Sequence, residues 1–152
     1  MNSKKGILYL VSTPIGNLGD ITHRAITTLK EVSLVAAEDT RHSKKIFMQY
    51  DIDTPLISYF EHNHSLRVSK LIKHMNEGKD LGLITDAGTP GVSDPAYRIV
   101  REAVQESIEV VSIPGASAVL AALVSSGLPT DRFLFEGFLP PKKGRKKRIE
   151  SV

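Results

Sequence analysis

The stretch from Gly82 to Pro95, GLITDAGTPGVSDP, restricts the possible folds more than any other part of this chain. Leu81 to Thr85 is short and apolar, the pattern of a strand buried on both faces. Asp86 breaks the run, and Gly88, Pro90 and Gly91 force an irregular loop. Asp94 before Pro95 predicts an N-cap and a first helical position, where the missing proline N–H would be an orphan anyway. A strand, a glycine-rich turn and a helix start make one unit of an open α/β sheet. In such sheets ligands bind outside the carboxyl ends of the strands.

The remainder repeats that alternation. Ile7 to Ser12, Leu34 to Ala37, Pro55 to Tyr59 and Ile108 to Ile113 predict further strands. Helices are expected from Asp20 or Thr22 to Glu31, over Ser43 to Tyr50, and from a Ser65 cap to Gly78. Another follows Pro95, with Ile99, Val100, Ala103 and Val104 inward, and an alanine-rich one runs from Ser117 to Gly127. Arg132 to Phe138, RFLFEGF, has the composition of a last strand. Strands alternating with helices predict an α/β fold, a mostly parallel sheet with helices on both faces.

Three strand-to-helix turns share one character: STPIGNLGD (Ser12 to Asp20), TDAGTPGVSDP (Thr85 to Pro95) and IPGASA (Ile113 to Ala118). Each couples Pro with Gly where a strand should end. Parallel strands put those ends on one edge, where small residues leave a trough lined by backbone donors and acceptors. Such a trough suits a flat ligand with polar edges, for example an adenine nucleoside. The chain has neither a G-x-x-x-x-G-K-[ST] nor a G-x-G-x-x-G motif, and no lysine stands in the turns. That favours a ligand without a phosphate chain.

Charge is uneven. Lys142 to Arg148, KKGRKKR, carries six of the 20 basic residues and no acid; without it 14 basic residues face 17 acidic ones. The run is either a solvated linker or a contact for nucleic acid. The absence of cysteine excludes disulfides and thiolate metal sites and suits the cytoplasm. No apolar run approaches the ~20 residues of a membrane span. Lys4 and Lys5 before a short apolar run lack a cleavage pattern, so the run reads as a strand rather than a signal peptide.

STPIGNLGDIT, AAEDTRHS, ITDAGTPGVSDP and IPGASA, in this order, resemble the tetrapyrrole-methylase superfamily, and most closely its branch acting on small-subunit ribosomal RNA. The resemblance covers nearly the whole chain. It implies a homodimeric, cytoplasmic enzyme that uses S-adenosyl-L-methionine to methylate the ribose 2′-OH of a cytidine in small ribosomal subunit RNA. It further implies an N-terminal cofactor-binding domain over residues 1–139. Residues 140–152 would then be a basic linker and the start of a second α/β domain, with the cofactor between the two.

By the same resemblance the cofactor contacts fall on Pro14, on Ala87, Gly88 and Thr89, on Val92, and on Ser117 and Ala118. Thr89 replaces an Asp of the tetrapyrrole branch but is similar to the RNA branch. Ala96 stands where such enzymes usually have Gly.

Methyl transfer needs alignment of oxygen, methyl and sulfur, and relief of the hydroxyl proton. Asp86 is the first candidate base; it could equally orient its loop by accepting backbone N–H bonds. Glu38 is the second, or else it holds Arg41 by ion pairing. Arg41, Lys142, Lys143, Arg145 and Lys146 are the candidate RNA contacts. His62 and His64 flank Asn63, but no carboxylate trio accompanies them, so no metal site is assigned. No aromatic platform for base stacking stands out. Competing readings are a tetrapyrrole or protein substrate within the superfamily, a binding module without turnover, and phosphoryl transfer through Asp86 or the Asp51-Ile52-Asp53-Thr54 stretch.

Overall fold

The computed structural model describes residues 4–59, 64–94, 96–141 and 143–151. Its strands are β1 (Leu8–Val11), β2 (Leu34–Ala37), β3 (Leu56–Ser58), β4 (Leu81–Ile84) and β5 (Val110–Ile113). They form one sheet in the order β3-β2-β4-β1-β5, and every pairing is parallel. Parallel neighbours need crossovers. These are α1 (His23–Glu31), α2 (Thr40–Gln49), α3 (His64–Asn76) and α4 (Tyr97–Gln105).

Alternation along each strand sends side chains to two layers. Val11, Val35 and Ile84 pack with Leu29 of α1 and Phe47 of α2. Leu8, Ala36 and Leu83 pack on the other face with Leu71 of α3 and Ile99 of α4. Helices therefore cover both faces, as the alternating pattern predicts. Each fully buried Leu or Ile contributes about 1.5–3 kcal/mol. This continuous burial explains why β4, LGLI, contains no polar residue.

Local signals set the helix starts. The Thr22 hydroxyl accepts the Ala25 N–H at 3.1 Å, so α1 begins after Thr22 while Asp20 lies in a preceding 3-10 turn. Asp39 accepts the Arg41 N–H at 2.8 Å, which starts α2 at Thr40, ahead of the expected Ser43. Asp94 accepts from Gly91 N and Ala96 N, both at 2.7 Å. It fastens the loop instead of capping α4 directly, and buried Ala96 takes the N-cap place. Pro95, Phe60, Glu61, His62 and Asn63 lie outside the described residues.

Three further expectations need correction. Val104 is 63% exposed, because the packed stripe of α4 is set by Ile99 and Ala103. The Ser65 cap is displaced, since α3 already includes Ser65. Arg132 to Phe138 forms no strand: Gly137 sits at φ +76°, which no strand continues through, and the segment pairs with no described strand. Beyond β5 come α5 (Ala118–Ser125), an exposed stretch, and α6 (Arg145–Glu150) within the basic run. Among the described residues no helix is long and apolar enough to cross a membrane.

Candidate cofactor trough at the carboxyl edge of the sheet

The three proline–glycine turns follow β1, β4 and β5, which are neighbours in the order β4-β1-β5. Being parallel, they deliver all three turns to one edge. The turns are also bonded together. Thr13 N donates to Gly88 O at 2.9 Å and Gly88 N donates to Thr13 O at 3.1 Å, a short antiparallel bridge between the first two. The Ser12 and Thr89 hydroxyls are 3.0 Å apart, and Thr13 Oγ1 donates to the Thr85 carbonyl. Ser12 N donates to Ile113 O at 3.1 Å, joining the third turn.

Two glycines make this approach possible. Gly88 sits at φ +82°, a conformation in which any side chain is strained. A Cβ on Gly115 would lie 2.8 Å from the Ser12 Cβ, closer than carbon atoms tolerate. Pro14 and Gly88 are buried at the floor, and Thr89 and Ser117 are half-buried above them. Ala87, Ala118 and Val92 are exposed, as is Ile15. Ser117 caps α5, its hydroxyl accepting the Leu120 N–H at 3.4 Å. The lining is thus backbone, small side chains and a few exposed apolar ones, with no lysine or arginine in the three turns. That donor set fits a nucleoside with an apolar-tolerant tail and no phosphates.

β2 adds a carboxylate pair beside β4. Asp86 Oδ1 accepts the Asp39 N–H at 3.1 Å and so ties the β4 turn to the β2 turn. Glu38 is half-buried beside it. Burial first, and then the charge of Asp86, push the Glu38 carboxyl above its ordinary value, against the opposing pull of the Asp86 backbone amide. Arg41 is held by Asp39 and not by Glu38: its Nη2 is 2.7 Å from Asp39 Oδ2 and its Nε 3.1 Å from Oδ1. Those bonds hold the Asp39 carboxyl down at about 2. The ion pairing expected of Glu38 therefore belongs to the next residue, which the helix start turns toward Arg41.

The basic run meets acids from outside itself. Arg148 pairs with Glu136, Lys146 lies 3.9 Å from Glu150, and Arg145 donates to the Pro140 and Pro141 carbonyls. Lys143 is exposed, and Lys142 lies outside the described residues.

Residues 7–151 match the family of Tetrapyrrole (Corrin/Porphyrin) Methylases. The chain belongs to this family. Within it, the chain is 53% identical over 148 residues to "Ribosomal RNA small subunit methyltransferase I" of Synechocystis sp., covering 97% of itself and 53% of that protein. It is 50% identical over 151 residues to the protein of the same name from Bacillus subtilis, covering 99% of itself and 52% of that protein. It therefore spans about half the length of these relatives.

Solved structures share the fold at lower identity. Uroporphyrin-III-C-methyltransferase from Thermus thermophilus matches with a TM-score of 0.62 at 21% identity, over 82% of this chain and 53% of that one. Diphthine synthase matches with a TM-score of 0.66 at 18% identity, over 82% and 50%. One fold thus carries proteins of very different names, so the fold alone does not give the substrate.

Proposed function

We propose that this chain is the cofactor-binding half of an S-adenosyl-L-methionine-dependent methyltransferase that modifies the ribose 2′-OH of a cytidine in small ribosomal subunit RNA. The observation that carries the substrate is the identity of about half with proteins named for small-subunit ribosomal RNA, spread over nearly the whole chain. The bonded three-turn trough supports the cofactor. S-adenosyl-L-methionine, when bound, supplies a methyl group on a sulfonium.

The chain's residues then divide the work. Pro14 and Gly88 shape the floor, Ala87 and Thr89 flank it, Val92 packs against the adenosine, and Ser117 and Ala118 close the third side. Asp86, already accepting the Asp39 N–H, positions the β2 and β4 turns. Glu38 is the better base, because its raised carboxyl value brings it closer to the proton it must accept. Arg41, Lys142, Lys143, Arg145 and Lys146 offer charge to the RNA backbone. The full-length enzyme works as a cytoplasmic homodimer, with residues 1–139 as the first domain and 140–152 leading into the second. The exposed apolar side chains of α5 support a surface that the second domain covers.

The test uses the full-length protein, tritiated S-adenosyl-L-methionine and small ribosomal subunits. Label recovered as 2′-O-methylcytidine after nuclease digestion is the expected result. Label in protein, in a tetrapyrrole or nowhere overturns the substrate. Calorimetry with S-adenosylhomocysteine tests the trough separately: Gly88→Val abolishes binding, and unchanged affinity removes the trough from the reading.

A further inference from the structure

A second concavity lies away from the three turns. It lies between α3 and α4, with a volume of about 660 Å³, in the range of ligand clefts. Lys73 of α3 and Tyr97, Arg98 and Arg101 of α4 line it over the apolar floor of Val68 and Ile72.

Its direction follows from the topology. α3 follows β3 and α4 follows β4, and both strands are parallel, so both helices start at the trough edge. Tyr97 opens α4 directly after the Ala87 to Asp94 loop. The groove thus runs from the trough down one face of the sheet. Charge is mixed along it, since Lys73 stands in the last turn of α3, at the end away from the trough. Arg98 and Arg101 stand one turn apart on one side of α4 near the trough. Glu102 and Glu106 lie farther along, and Glu106 has Lys5 3.9 Å away. Among the described residues neither Lys73 nor Arg101 enters an ion pair. Tyr97 is 55% exposed; its hydroxyl accepts from Arg98 Nε at 3.3 Å, and the Arg98 guanidinium lies 5.8 Å from the ring centroid.

We propose that this groove holds a single-stranded stretch of RNA adjoining the target nucleotide, with Tyr97 stacking a base and Lys73, Arg98 and Arg101 meeting phosphates. The proposal rests on the RNA reading above and adds a binding surface outside the methyl-transfer site. Cations spaced along a groove that begins with an exposed aromatic ring match single-strand binding, where the charges track the backbone and rings stack bases. An acidic peptide would satisfy the cations but leave the ring without a flat partner.

The test is fluorescence anisotropy of a labelled, cytidine-rich single-stranded oligoribonucleotide with the full-length protein at several KCl concentrations. The Arg98→Gln/Arg101→Gln variant is expected to bind about tenfold more weakly. Its log–log salt slope should fall by about 1.4, since each phosphate of a single strand that is no longer neutralised lowers the slope by ~0.7. Tyr97→Leu is expected to lose about tenfold with no change of slope. Arg98→Lys/Arg101→Lys keeps the slope. Calorimetric affinity for S-adenosylhomocysteine, unchanged in all three, shows that they fold.

Wild-type affinity and slope in both the arginine-to-glutamine and tyrosine variants overturns the groove while leaving the RNA reading intact. A wild-type protein that transfers methyl groups but binds no RNA overturns the reading beneath it. Variants that keep RNA affinity but sediment as monomers place a second copy in the groove and also overturn the proposal.

Discussion

Residues 7–113 and residues 118–151 both carry many apolar side chains and dispose of them in opposite ways. In the first region Leu8, Leu29, Leu71, Leu81 and Ile99 are at most 2% exposed. In the second Leu120, Val124, Leu134 and Phe138 are 51 to 81% exposed. The difference is not hydrophobicity but the presence of a facing layer. Each helix from α1 to α4 has an apolar stripe matched to one face of the sheet, and its other side is mostly polar, Met48 and Val104 being exposed exceptions. α5, AVLAALVS, is apolar on every side, a composition that belongs in an interior. The candidate trough straddles this divide. Two of its turns belong to the packed region, and the third opens α5.

The largest test of that contrast is a pair of truncations followed by urea unfolding of the 152-residue chain. Leu81→Ala should cost about 2–5 kcal/mol, for lost burial and the cavity left behind. Phe138→Ala should stay within about 0.5 kcal/mol. Equal losses would break the comparison.

The seam between the regions comes next. Gly115→Val drives a side chain into Ser12 and should cost about 1–3 kcal/mol while weakening S-adenosylhomocysteine binding by the full-length protein in calorimetry. An unchanged melting curve would mean that the third turn is loose.

Helix caps sharpen the contrast further. Thr22→Ala at the head of packed α1 should cost about 1 kcal/mol, whereas Ser117→Ala at the head of α5 should cost only a few tenths. Thermal melts of the two variants check it.

The smallest effect is a pH dependence. Glu38 titrates above its ordinary 4.5 in the folded chain, so its contribution to stability is fully present below 4.5 and is lost as pH rises through the raised value. Glu38→Gln should therefore gain on the wild type at neutral pH, with the gain shrinking on acidification. Parallel melts from about pH 7 down to about pH 4 would show it, and a constant difference would remove the burial of Glu38 as its cause.

The strands and the site edge were legible because their signals are local. β2 occupies Leu34–Ala37 as its apolar run predicts, and Thr22 and Ser117 cap the helices they precede. The gathering of Pro14, Gly88 and Ser117 on one edge follows from parallel strands alone, although the Thr13–Gly88 bridge and the tight fit of Gly115 against Ser12 do not. Other features depended on distant partners. RFLFEGF has strand composition but no strand to pair with, and Val104 obeys a helical pattern yet faces out. Arg41 chose Asp39 over Glu38 by the geometry of one helix start. The exposed ring of Tyr97 beside Arg98 carried no motif at all.

The amino-acid order by itself settled the alternation of strand and helix, the three proline–glycine turns and the lack of either glycine-rich phosphate motif in them, because these rest on nearest-neighbour constraints of backbone and side chain. Only the tertiary structure decided which strand lies beside which, which carboxylate is half-buried, and that α3 and α4 leave a cationic groove open between them. Those outcomes depend on contacts between residues far apart in the chain, and burial and electrostatic coupling exist only once such contacts form.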